Sequence, residues 1–269
     1  MMLKHLLSAA TAVALTLTSV SLPALANETP EARGLAVATE WDKRDQGFGD
    51  TQSVMKMVLE NRNGEQSVRS MIQKIFEIPD PDTGDKSLTV FQKPRDVKGT
   101  AFLSFAKILD PDDQWLYLPA LKRVKRISSK NKSGPFVGSE FAYEDLSAQE
   151  LKKYTYKWLR EEPCGDLQCA VIEQIPTYEN SGYTRQIVWY DLSEYRQQKI
   201  DYFDRKGELL KTLTFSDFRQ YLDQYWRAHD MYVENHQTGK KTRLVFEEIK
   251  FRTGLKESDL TKNSLKRVK

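Results

Sequence analysis

The stretch Asp112–Leu146, DDQWLYLPALKRVKRISSKNKSGPFVGSEFAYEDL, decides how the chain is read. It opens on a short aromatic strand, Trp115-Leu116-Tyr117-Leu118, which Pro119 closes. A strongly basic strand follows, Lys122-Arg123-Val124-Lys125-Arg126-Ile127, then a Ser/Lys/Gly loop and a turn carrying Phe141, Tyr143, Glu144 and Asp145. Period-two alternation with aromatic and branched residues is a strand signal, and the Pro and Gly punctuation marks hairpin and loop.

The same pattern extends to both sides. Residues 53–61, 66–78, 86–93, 99–109, 114–118, 122–128, 153–160, 169–176, 184–191, 196–204, 208–218, 225–235 and 241–251 read as strands. Turn signals such as Asn63-Gly64, Asp110-Pro111-Asp112, Lys206-Gly207 and Thr238-Gly239 separate most of them, and connections this short make neighbours antiparallel. The expectation is a long meander in sequence order, which must curl because strands twist. Residues 30–44 read as a helix: Thr29 caps, Pro30 suits the first turn, Glu31 favours the positive end, and Leu35, Ala38 and Trp41 or Asp42 form its apolar side. Segments 141–152 and 216–224 have room for short helices. On 208–218, Leu209, Leu213 and Phe215 share a dry face opposite Thr212, Thr214 and Ser216. On 99–109 both faces are apolar, so that strand is covered twice or meets a ligand on one side.

The run WLYLPALKRVKRIS, followed by KSG, GSEF and YEDL, resembles the signature of the bacterial outer membrane lipoprotein-sorting protein family, periplasmic relatives of the LolA lipoprotein carrier. The ending FRTGL…DLTKNSLKR (residues 251–255 and 259–267) is similar to the same family. The resemblance implies an α+β fold: a curved antiparallel sheet forming an incomplete, half-open barrel covered by a few helices. It also implies a carrier that moves the acyl chains of a lipid or lipoprotein between inner and outer membrane, with the helix at 30–44 as a gate. An inner-membrane exporter of the resistance–nodulation–division superfamily (RND) is the partner it implies. LolA-like folds in periplasmic stress signalling make a lipid-binding sensor the alternative.

The N-terminus agrees with export. Lys4 and His5 precede an apolar run from Leu6 to Leu22, and Ala24-Leu25-Ala26 is a small-x-small cleavage box. Residues 1–26 are therefore expected to be a signal peptide cleaved near Ala26, leaving 27–269 as one soluble, monomeric periplasmic domain. Charged residues make up 29% of the chain but net only +3, which argues against nucleic acid as a partner. In an exported protein, Cys164 and Cys169 are expected to form a disulfide closing a hairpin tip.

Enzyme signatures are missing from the sequence. His229 and His236 have no metal-ligand spacing, Asp80, Asp82 and Asp85 lack the ligand ladder of a calcium loop, and there is no nucleophile elbow or phosphate loop. No cofactor and no metal are expected. Glu144 and Asp145 are read as a cap or as partners of nearby basic residues. An enzyme on this scaffold would need a convergent cluster, for which Glu173, Arg185 and His229 are the candidates.

Two features remain for binding. Lys122, Arg123, Lys125, Arg126, Lys130 and Lys132 place six positive charges in eleven residues. They serve either as an edge that resists strand-to-strand aggregation or as a dock for anionic headgroups or an acidic partner. Aromatic residues make up 11% of the chain, with Phe102, Trp115, Trp158, Tyr190, Trp226 and Phe246 among those on strands. From these strand faces Leu103, Phe105, Leu116, Leu118, Trp189, Leu213 and Phe215 are the expected lining of an acyl cavity.

Overall fold

The computed structural model describes residues 28–80 and 82–266. The expected signal peptide and its cleavage site lie outside them. Helix α1 (Pro30–Asp45) begins where Thr29 Oγ1 accepts a hydrogen bond from Ala32 N at 3.2 Å. Thirteen strands follow: β1 (Asp50–Glu60), β2 (Gln66–Phe76), β3 (Lys86–Lys93), β4 (Ala101–Phe105), β5 (Asp113–Leu118), β6 (Arg123–Ile127), β7 (Tyr154–Cys164), β8 (Leu167–Pro176), β9 (Arg185–Asp191), β10 (Gln197–Phe203), β11 (Leu209–Tyr221), β12 (Tyr225–Asn235) and β13 (Lys241–Phe251). Every expected strand is present. The fold is α+β, an open antiparallel sheet with a helix against one edge.

The strand order departs from a simple meander. It runs β6-β5-β4-β3-β2-β1-β13-β12-β11-β10-β9-β8-β7, so β1 pairs with β13 and the first and last strands meet mid-sheet. β6 and β7, joined by residues 128–153, are the two free edges. Among the described residues α1 is the one α-helix rather than one of several. Segment 141–152 forms only single 3₁₀ turns, Tyr143–Leu146 and Leu151–Lys153. Segment 216–224 is not helical: β11 runs on to Tyr221 through a kink at Asp217, whose φ is 51°, before the turn at Leu222 and Asp223.

The segment between the edges fills much of the concave face. Phe136 and Phe141 are almost wholly buried, and the Phe136 ring packs against Phe91, Phe102 and Tyr143 at 5.8, 5.3 and 5.5 Å. These rings share one core with Met55, Met57, Met71, Leu213, Val233 and Leu244 of the central strands. Polar bonds hold the segment there. Lys211 Nζ, on the concave side of β11, reaches Asp145 Oδ2 at 2.5 Å and Glu140 O at 2.8 Å. Lys211 and Asp145 are each only 4% exposed in their side chains. Tyr183 donates to the other Asp145 oxygen at 2.7 Å, and Glu144 accepts from Gly182 N and Ser181 Oγ. Asp145 also accepts from Ala142 N, the capping role expected of it, but its cation is Lys211 rather than a lysine of the preceding loop.

The convex face of β3–β5 is covered as well. Leu260 and Leu265 of the C-terminal segment pack with Leu88, Val90, Ala101, Leu103 and Trp115. Thus β4 is apolar on both faces because protein covers both.

Helix α1 lies against the edge strand β7. Its buried side is Gly34, Val37 and Ala38, continued by Trp41 at 6.0 Å from the Tyr190 ring, while Leu35 is 46% exposed. The expected apolar side is therefore turned by one residue, because Gly34 makes the closest approach. A Cβ there would stand 2.8 Å from backbone atoms of Lys157 and Trp158. Gly34→Ala should therefore lower stability by about 1–3 kcal/mol, the cost of overpacking. In an exposed helix interior the same change stabilises by about 1 kcal/mol. Urea unfolding measures the sign, and a more stable variant would mean that α1 is not seated on β7.

Candidate functional site

The concave face is left open beneath α1. Between the C-terminal half of α1, the β9–β10 turn and strands β11–β13 lies a cavity of about 570 Å³. That is within the range of small-molecule sites. Its floor is apolar: Phe215 and Phe218 of β11, Trp226, Ala228 and Met231 of β12, Phe246 and Ile249 of β13, with Trp41 of α1 as one wall. The kink at Asp217 lets Phe215 and Phe218, an odd and an even position of one strand, both reach this space.

The mouth is ringed by charges, and its arginines are paired. Arg44 of α1 donates at 2.8 Å to Glu40 and at 2.8 Å to Glu194 in the β9–β10 turn, and Arg227 pairs with Asp45. The Arg44–Glu194 and Arg227–Asp45 pairs tie the end of the helix to two sides of the sheet, and being partly exposed they hold it weakly. Arg196 Nε donates to Asp191 at 2.8 Å while its guanidinium lies over the rings of Trp226 and Phe218 at 4.6 and 5.0 Å. Burial works to raise the Asp191 carboxyl, but bonds from Arg196, Ser193 and Glu194 outweigh it and hold the group below its ordinary value.

Of the residues expected to line a cavity, Phe215 does so. Leu116 and Leu213 belong to the packed concave core, with Leu118 against it. Leu103 and Phe105 face the convex side under the C-terminal segment, with the Phe105 ring 5.1 Å from Trp115. Trp189 sits with Cys169, Val171 and Ile187 in a separate small cluster, its indole donating to Glu162. Alternation along a strand tells which residues share a face but not what is laid against it.

Lys122, Arg123, Lys125, Arg126 and Lys130 are exposed on or beside the edge strand β6, Arg126 pairing with Asp113. Lys132 is set apart: half-buried, its Nζ lies 3.5 Å from the centre of the Tyr178 ring, and burial lowers its pKa. Cys164 and Cys169 form the disulfide at the tip of the β7–β8 hairpin, with Cα atoms 5.8 Å apart.

The structure brings together no enzyme cluster from the candidates. His229 Nδ1 lies 2.6 Å from the Phe246 carbonyl, which can only accept, so this nitrogen carries the proton and Nε2 accepts from Tyr221 at 2.7 Å. Glu173 and Arg185 pair with each other at 3.5 Å, and neither bonds to the imidazole. Among the described residues no group of three or more His, Cys, Asp or Glu side chains is placed to hold a metal ion. No helix among them is long and apolar enough to cross a membrane.

An acidic group lies beyond the helix end. Burial pushes Glu150 up to about 7, repulsion from Asp85, Asp112 and Asp42 adding to it and Lys153 opposing it. Burial likewise pushes Asp85 up to about 6. The folded state thus binds protons that the unfolded chain has released. The stability this contributes is present below about pH 4.5 and is lost as pH rises through 7. Glu150→Gln should flatten the fall in stability over that window and be the more stable form at pH 7.5. Urea midpoints measured from pH 4.5 to 7.5 would contradict the assignment if the two proteins ran parallel.

A family model described as "Uncharacterized protein" matches residues 83–267. No curated protein gives a significant match. Among solved structures, a domain from Vibrio parahaemolyticus, named for outer membrane lipoprotein sorting, is 56% identical with a TM-score of 0.85, over 87% of this chain and 99% of its own. A DUF1329 family protein from Desulfovibrio piger is 28% identical with a TM-score of 0.84, over 88% and 100%. A LolA superfamily protein from Nitrosomonas europaea, 18% identical with a TM-score of 0.68 over 86% and 98%, shares the fold.

Proposed function

Because the chain belongs to the outer membrane lipoprotein-sorting family and has a LolA-like fold, we propose that it is a periplasmic carrier of acyl chains. The observation that carries this reading is the cavity beneath α1, apolar at its floor, in a concave face that the chain largely fills with its own side chains. Residues 1–26 are removed on export, and the rest works as one domain with no chemistry of its own. Each methylene transferred from water into such a space contributes about 0.8 kcal/mol, so binding is strong without being selective for the chain that enters. Release requires the helix to move, and the weak ion pairs of Arg44 and Arg227 are latches that permit it. An RND-type exporter as donor follows from the family resemblance. Cargo is a lipid or the acyl part of a lipoprotein.

Phe215→Asp should weaken uptake of a fluorescent fatty acid by the mature protein at least tenfold, since an unpaired carboxylate in the floor costs several kcal/mol to bury. Phe215→Leu should bind nearly as well as the wild type. Equal binding by all three proteins would place the ligand elsewhere, and no binding by the wild type would remove the carrier reading.

The basic edge supplies the docking surface. Each exposed cation near an anionic membrane is worth about 1 kcal/mol. Replacing Arg123, Lys125 and Arg126 together by Ser should reduce sedimentation with phosphatidylglycerol vesicles by one to two orders of magnitude at low salt. Unchanged sedimentation would reduce β6 to an edge protected against strand pairing.

A further inference from the structure

Trp226 lines the cavity, and its indole nitrogen is the one buried side-chain nitrogen or oxygen without a hydrogen-bond partner among the described residues. An indole N–H is a donor only, and a buried donor left unpaired is costly enough that native proteins rarely keep one. Its neighbours explain why nothing in the protein satisfies it. The cation stacked on the ring, Arg196, is itself only a donor, the floor around it is Phe, Met, Ala and Ile, and the glutamines of the lining, Gln197, Gln220 and Gln224, make no bond to it.

We propose that Trp226 Nε1 is the polar contact of the cavity, donating to the carbonyl oxygen of a neutral acyl ester or amide. The inference rests on the carrier reading and narrows its ligand. An acyl chain joined through an ester or amide brings an acceptor at the head of a long apolar tail, which matches one unsatisfied donor beside an apolar floor. Among the described residues Lys43 is the one lining cation without an ion-pair partner, and the arginines add no demand for a negative head. Arg44 is engaged by Glu40 and Glu194, Arg227 by Asp45 and Arg196 by Asp191, so no arginine of the mouth is left to neutralise another anion. Nε1 is closed off from the cavity space itself, so the carbonyl meets it only when the indole turns or Arg196 lifts from the ring. The contact therefore belongs to the loaded state and is registered by the indole.

The test compares the delipidated mature protein with Trp226→Phe, using phosphatidylcholine with ester-linked chains and its ether-linked analogue, which lacks the carbonyls. Wild type should bind the ester-linked lipid about tenfold more tightly than the ether-linked one, one buried hydrogen bond's worth. Trp226→Phe should bind the two alike, and without lipid it should unfold at the same or a higher temperature than wild type. The change in tryptophan emission should be larger with the ester than with the ether lipid in wild type, and that difference should vanish in Trp226→Phe. An N-acylated peptide, whose amide carbonyl presents the same acceptor, should follow the ester lipid if lipoprotein is the cargo. Equal binding of ester and ether lipids by wild type overturns the Trp226 contact while leaving the carrier reading in place. Failure of wild type to bind any of these probes overturns both.

Discussion

One buried ion pair holds the molecule in its working shape. Lys211 points from β11 into the concave side of the sheet, where Asp145 of the segment between the two edges receives it. Neither group has appreciable access to water, and each has further bonds: Glu140 O for the ammonium, Tyr183 and Ala142 for the carboxylate. Such a pair adds little net stability over apolar packing, but losing one partner costs about 3–5 kcal/mol because the other stays buried and charged. Its effect is to fix position. It sets one place on the sheet where the Tyr143–Leu146 turn lies, and with it the Phe136 and Phe141 rings.

That placement decides where the hollow is. An open thirteen-stranded sheet that curls has a long concave face to cover, and one sixteen-residue helix cannot cover it. The chain divides the task. Aromatic residues of the edge-to-edge segment fill the part in front of β1–β5, and the C-terminal segment seals the back of β3–β5. Helix α1, seated through Gly34 on β7, roofs the remainder at its own C-terminal end. The part filled by the protein is unavailable to a ligand. What remains beneath α1 is a cavity with an apolar floor and a charged rim whose arginines are paired.

The strands were legible because each is short, alternating and bounded by turn residues. The helix start was legible from Thr29 and Pro30. Pairing of β1 with β13 was not, since nothing local in either strand names a partner two hundred residues away. The end of β11 was misread because the left-handed residue at Asp217 breaks alternation, and broken alternation imitates a helix. The cavity was least legible. Leu103 and Phe105 carry the residue types of a lipid wall, yet a tail far along the chain packs on them. Leu209, expected on the dry face, is 38% exposed because a bulge opposite Tyr202 and Phe203 turns Leu210 to the core instead. Lys211 offered a signal that went unused: it falls two residues before Leu213 on the dry face, and a lysine there must have a buried anion. Phe215 alone of the expected lining reaches the cavity. Trp226 stood out by type, but only coordinates show that its nitrogen has no partner.

The account stands on the cavity beneath α1 being occupied in the cell by an acyl-bearing molecule. Native mass spectrometry of the protein purified from its own periplasm, followed by extraction of whatever accompanies it, tests this most directly. The expected spectrum contains a one-to-one complex whose added mass corresponds to a lipid or acylated peptide. Protein that is always empty, and stays empty after incubation with membrane lipid, would contradict it.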